Sequence, residues 1–126
     1  MTQPKRAEWV LRVTTAMVFL GHGVFALNVN PKWIPFITHF GFSEASAQDI
    51  MPVVGVLDIA LAAMVLIRPI PAALLWMTFW GLLTALLRPL TGASVFDFIE
   101  RGANWGAPAA LLLLRGLPKR PRDWFR

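Results

Sequence analysis

The chain has 126 residues, 56% of them hydrophobic and 15% charged, with a mean hydropathy of +0.58. Soluble domains are less apolar and carry more charge, so a catalytic domain with an aqueous surface is excluded and a membrane protein is indicated. The net charge of +5 is carried at the two chain ends and at single loop positions, as in a topology signal rather than a nucleic-acid surface, and the lack of cysteine removes disulfides, thiolate metal sites and thiol redox chemistry.

The predicted architecture is all-α: an integral membrane four-helix bundle forming one domain over residues 1–126, with spans at about 9–27, 50–67, 70–90 and 95–117. Lys5 and Arg6 precede the first apolar run, and "VFA" at Val24–Ala26 would satisfy a signal-peptidase rule, but the run reads as a transmembrane helix. The connection that follows, Asn28 to Asp49, contains "PKWIPFITHFGF". Its two prolines and its Trp33, Phe36, Phe40 and Phe42 predict a short interfacial segment with its aromatic face in lipid or on the bundle. Ser43 offers an N-cap to the second helix, which Pro52 would bend. Before the fourth span, Ser94 followed by Asp97 predicts a helix start near Val95 that carries Glu100, Arg101 and Asn104.

Asp58, in "PVVGVLDIALAAMVLI", is a lone carboxylate in apolar surroundings. Burying it in hydrocarbon costs roughly 2.5 to 3.5 kcal/mol, which demands a partner inside the bundle. Counted from the cytoplasmic interface at ~1.5 Å per residue, His22 lies ~20 Å high, Asp58 ~14 Å and Arg12 ~5 Å. Helical side chains tilt toward their own N-terminus, so His22 and Asp58, on oppositely directed helices, converge. Arg12, Thr15, Phe19, His22 and Gly23 share a face of the first helix, Gly55 and Ala62 flank Asp58, and Gly81, Thr84 and Arg88 share a face of the third. The expected polar pocket, entered from the outer side, comprises His22, Asp58, Arg88, Glu100 and Asn104. The same residues fit a structural pair that fixes helix register as well as a ligand or proton site.

Other polar and aromatic residues have plainer readings. Arg12 is expected to snorkel at the interface, with Glu8 one turn before it and Trp9, Trp33 and Trp105 as interface anchors, Trp124 serving likewise. Asp97 and Arg101 form an i, i+4 pair, while Trp76 and Trp80 read as packing or lipid-facing. "LPKRPRDWFR" reads as a basic anchor on anionic headgroups. His22 and His39 are a weak basis for axial haem ligation. No nucleophile, metal cluster or cofactor motif stands out, so a non-catalytic subunit is expected over an enzyme.

"FLGHG" after Arg12, "GVLD" in the second helix, the "PKWIPF" connection and "RPLTG" with "ERGANWGAP" resemble the DoxX-like family of small four-helix bacterial membrane proteins. That family includes the small-subunit type of thiosulfate:quinone oxidoreductase. Asp58 stands where the family pattern has the longer Glu. The resemblance implies a multi-pass protein of the bacterial inner membrane that anchors or assembles a larger respiratory or quinone-linked complex. Its partners would be membrane lipid and other subunits or further copies of itself, with bound quinone or lipid as the cofactors to expect. A small proton-responsive transporter, or a membrane oxidoreductase small subunit that binds quinone, is the alternative.

With both termini cytoplasmic, nine Lys and Arg residues fall inside and three (Lys32, Arg88 and Arg101) outside. Reporter fusions at Arg126 should therefore give a cytoplasmic signal; a periplasmic signal would reverse the topology.

Overall fold

The computed structural model describes all residues 1–126 and contains helices and turns with no strand. Three long helices, α1 (Gln3–Leu27), α3 (Glu44–Ile67) and α4 (Pro71–Leu90), are each long and apolar enough to cross a membrane. Two short helices, α2 (Ile34–Thr38) and α5 (Val95–Ile99), precede α3 and α6 (Gly102–Arg115) respectively. Three-residue and five-residue 3₁₀ helices occupy Pro31–Trp33 and Pro121–Phe125.

Local chemistry explains the boundaries. Thr2 caps α1 and Pro4 sits within its first turn, where a missing N–H is harmless. Ser43 caps α3 by accepting from the Ser46 N–H at 3.1 Å, so α3 begins six residues before the expected span. Ser94 caps α5, accepting from the Phe96 N–H at 3.1 Å. The expected single fourth span is instead two pieces. The chain turns at Glu100–Arg101 before Gly102 opens α6, whose fourteen residues reach only ~21 Å. Glycines at 102 and 106 weaken helix continuity here, and the Arg101 guanidinium folds back to donate to the Asp97 carbonyl at 2.8 Å. Its carboxylate partner is Glu100 at 2.9 Å, not Asp97.

The helices pair as α1 with α3 and α4 with α6, and α1 also packs on α6. Both principal crossings occur at glycine. A Cβ on Gly55 would lie 2.5 Å from the Leu27 nitrogen and 2.7 Å from the Gly23 oxygen, and one on Gly81 would lie 2.9 Å from the Asn104 oxygen. Backbone meets backbone at both places, as small residues permit between membrane helices. Ala16, Phe19, Leu61, Val65, Leu74, Met77 and Leu111 fill the core between the pairs. The opposite faces carry exposed Val10, Val13, Met17, Leu20 and Val24 on α1 and Leu75, Trp76 and Phe79 on α4, an apolar exterior suited to lipid.

Charge fastens one end of the bundle. Arg12 does not snorkel: it is buried, stacks its guanidinium 4.0 Å over the Trp9 ring and donates to the Val65 carbonyl at 3.0 Å and the Leu66 carbonyl at 2.5 Å. These are orphan acceptors of the last turn of α3, where a cation also suits the helix dipole. Glu8 pairs with Lys5 at 3.1 Å and with Arg115 of α6 rather than with Arg12. The N-terminus, the α3–α4 turn and the end of α6 therefore share one end of the bundle.

Gly55→Ala should lower the thermal midpoint of the detergent-solubilised protein, since overpacking costs about 1 to 3 kcal/mol and only backbone surrounds the new methyl group. Gly21→Ala, with nothing within 4 Å of the added carbon, should leave the midpoint unchanged or raise it slightly. Equal effects at the two positions would contradict the close crossing.

Candidate functional site

Because α3 pairs with α1 and α4 with α6, α3 and α4 touch little beyond their shared turn. At the end of the bundle away from the termini, the gap between them is a cavity of about 320 Å³. That volume falls at the lower end of the range of small-molecule sites. The connection after α1 partly covers it, with α2 packed on both α3 and α4. The "PKWIPFITHFGF" segment thus turns an aromatic face to the bundle, bringing Trp33, Phe36, Ile37, Phe40 and Phe42 to the cavity.

Twelve of the sixteen lining residues are hydrophobic; the other four are His22, Asp58, Thr84 and Arg88. The cavity therefore has apolar walls and a small polar set, the composition of a site for an amphipathic molecule.

Asp58 is 3% exposed and lies opposite the bare face of Gly23: a Cβ on that glycine would be 3.1 Å from the Asp58 Cβ. The carboxylate oxygen Oδ1 is buried without a hydrogen-bond partner in the protein, and no ion pair reaches the group. Of the expected pairing with His22, directly or through one water, the direct hydrogen bond is not made. His22 is one residue from Gly23 and so about 100° round the helix, which turns its ring to an edge contact with Trp33 at 5.6 Å. The two residues share the cavity without touching through a hydrogen bond.

Arg88 is also buried in this lining. Its Nη1 donates to the Thr84 carbonyl at 2.5 Å, and its guanidinium lies 4.8 Å from the centre of the Phe36 ring. Thr84 returns its hydroxyl to the Trp80 carbonyl at 2.9 Å. Arg88 is held by its own helix and by an aromatic face, not by Asp58.

Glu100 and Asn104 do not join the pocket. The Glu100 side chain is 64% exposed and pairs with Arg101, while Asn104 lies at the Gly81 crossing, where α6 presses its backbone on α4. The break between α5 and α6 takes both out of the register that a continuous helix would have given them. Trp33, expected at an interface, is a cavity wall. Trp105 has its indole N–H buried without a partner. His39 stacks edge-on with Phe40 at 5.6 Å and does not line the cavity. No group of three or more His, Asp or Glu side chains gathers at one point.

Trp80, read from the sequence as packing or lipid-facing, packs against the core and also lines the cavity. It stacks on Trp76 at 5.5 Å with one face of α4 exposed and the next turned to the cavity, a distinction that i, i+4 spacing alone does not carry. Its place four residues before Thr84 and eight before Arg88 was the available signal.

Compared with known proteins, the chain matches no family model, and no curated protein or solved structure is significantly similar to it. Fold and site together define an all-helical protein with three membrane-length helices and an amphipathic cavity between two of them.

Proposed function

We propose that this protein is a non-catalytic, membrane-embedded subunit that holds a lipid-soluble molecule with a polar head, a quinone or a lipid, in the cavity between α3 and α4. One observation carries the reading: a ligand-sized cavity with twelve hydrophobic lining residues into which His22, Asp58 and Arg88 converge. Aromatic walls suit a ring or chain that partitions into the bilayer. Three ionisable side chains supply both donors and acceptors for its head. The apolar exteriors of α1 and α4 are then covered by lipid or by neighbouring subunits of a larger, respiratory or quinone-linked assembly in the bacterial inner membrane. The likeness of "FLGHG" and "GVLD" to the DoxX-like pattern supports that setting.

A proton-responsive transporter is a second reading, favoured by the placement of Asp58 and His22 in one cavity. Proton-dependent flux by the isolated chain in vesicles would select it over a binding subunit.

A short-chain benzoquinone should quench the emission of the protein in mild detergent saturably, because Trp33 and Trp80 line the cavity. Val54→Phe, which adds bulk to the α3 wall, should weaken this binding about tenfold, equivalent to about 1.4 kcal/mol. Linear, non-saturating quenching, or the same affinity in the variant, would contradict the proposal.

A further inference from the structure

Asp58 is the most constrained group in the cavity. Two glycines at the α1–α3 crossing bring the helices so close that the carboxylate has neither room to withdraw nor a neighbour to bond. An acceptor buried without a donor costs about 1 to 3 kcal/mol, and more for a charged group. At the Arg12 end of the same helix pair the Met64, Val65 and Leu66 carbonyls receive donors from the Arg68 N–H and the Arg12 guanidinium, whereas Asp58 receives none. The cavity that Asp58 lines is the place from which a donor can reach it.

Three features narrow its chemistry. The first is charge: Asp58 and Arg88 give the lining one formal negative and one formal positive group, so a cation would meet Arg88 and an anion would meet Asp58. A neutral head meets neither penalty. The second is hydrogen-bonding type. A head that donates to Asp58 through O–H keeps lone pairs on the same oxygen for Arg88 or His22, both donors in the same cavity. The third is shape: Trp33, Phe36 and Trp80 bring three aromatic rings to the lining, among which a planar ring packs.

We propose that the cavity selects a neutral, hydroxyl-bearing aromatic molecule, a phenol with an apolar tail, whose O–H donates to the Asp58 carboxylate while its ring lies among Trp33, Phe36 and Trp80. This deepens the reading of the cavity as a site for a lipid-soluble molecule and rests on it. It adds that recognition is by a donated hydrogen bond and that a ligand with acceptors only is discriminated against. A site built to bond a hydroxyl rejects the analogue without it strongly, because the buried acceptor is then left unpaired.

The test uses 4-octylphenol, its methyl ether 4-octylanisole and the cation 4-octylbenzylammonium, titrated calorimetrically into the full chain in phosphatidylcholine nanodiscs, with empty discs subtracted. The wild-type protein should bind the phenol at least about tenfold more tightly than the ether, about 1.4 kcal/mol. In Asp58→Leu, which removes the acceptor and keeps an apolar side chain of similar size, the preference should vanish. The wild-type comparison stands whether or not that variant folds. Saturable binding of phenol and ether with equal affinity overturns recognition through Asp58 while leaving an apolar ligand cavity in place. Failure of both neutral probes to bind saturably overturns the cavity reading as well. Tighter binding of the ammonium than of the phenol overturns the neutral head in favour of an organic cation.

Discussion

The structure hangs on the contact between α1 and α3 at Gly23 and Gly55. A side chain at either position would collide with backbone, and its absence brings the two helices together in one register. From that register follow the two ends of the pair. Arg12 arrives at the Val65 and Leu66 carbonyls at one end, and the C-terminal half of α1 meets the N-terminal half of α3 at the other. Gly81 fixes α4 to α6 in the same manner. With each long helix committed to a partner, α3 and α4 cannot also close on each other along their length, and the aromatic connection fills part of the gap they leave.

Polar side chains divide accordingly. Near the chain termini they are paired: Glu8 holds Lys5 and Arg115, and Arg12 finishes a helix. Those interactions complete the fold at that end. At the far end the pattern is reversed. Arg88 is only partly occupied by a carbonyl and a ring, His22 rests on Trp33, and Asp58 has no partner. Asp58 is one of three residues with a buried polar atom that lacks a partner, beside Thr15 and Trp105, and the only one of them that lines the cavity, a departure from local consistency where function is expected.

Much of this was legible because it is local. The buried faces of α1 and α4, the Ser43 and Ser94 caps and the small residues beside Asp58 follow from helical spacing and from which side chains accept backbone N–H groups. What escaped the sequence is what depends on a distant partner. Arg12 has the spacing of a snorkelling residue, and its carbonyl acceptors lie 53 and 54 residues away. Depth counting brought Asp58 and His22 together, but depth carries no azimuth: Asp58 faces Gly23, and its neighbour in sequence, His22, faces Trp33. The fourth span reads from the sequence as one helix because Ser94 and Asp97 mark a start near Val95. The turn at Glu100–Arg101 before Gly102 reassigns Glu100 to the surface and Asn104 to the α4 contact. Trp80 packs against the core, as one half of its packing or lipid-facing reading has it, and the gap between α3 and α4 gives it a second side.

The most direct measurement of the central claim, that Asp58 looks into a cavity occupied by another molecule, is a high-resolution density map of the protein purified gently from the membrane in which it is made. Non-protein density is expected between Trp80 and Asp58, with an atom at hydrogen-bond distance, ~2.5 to 3.0 Å, from the carboxylate. A map in which α3 and α4 close on each other and Asp58 bonds directly to His22 would contradict it.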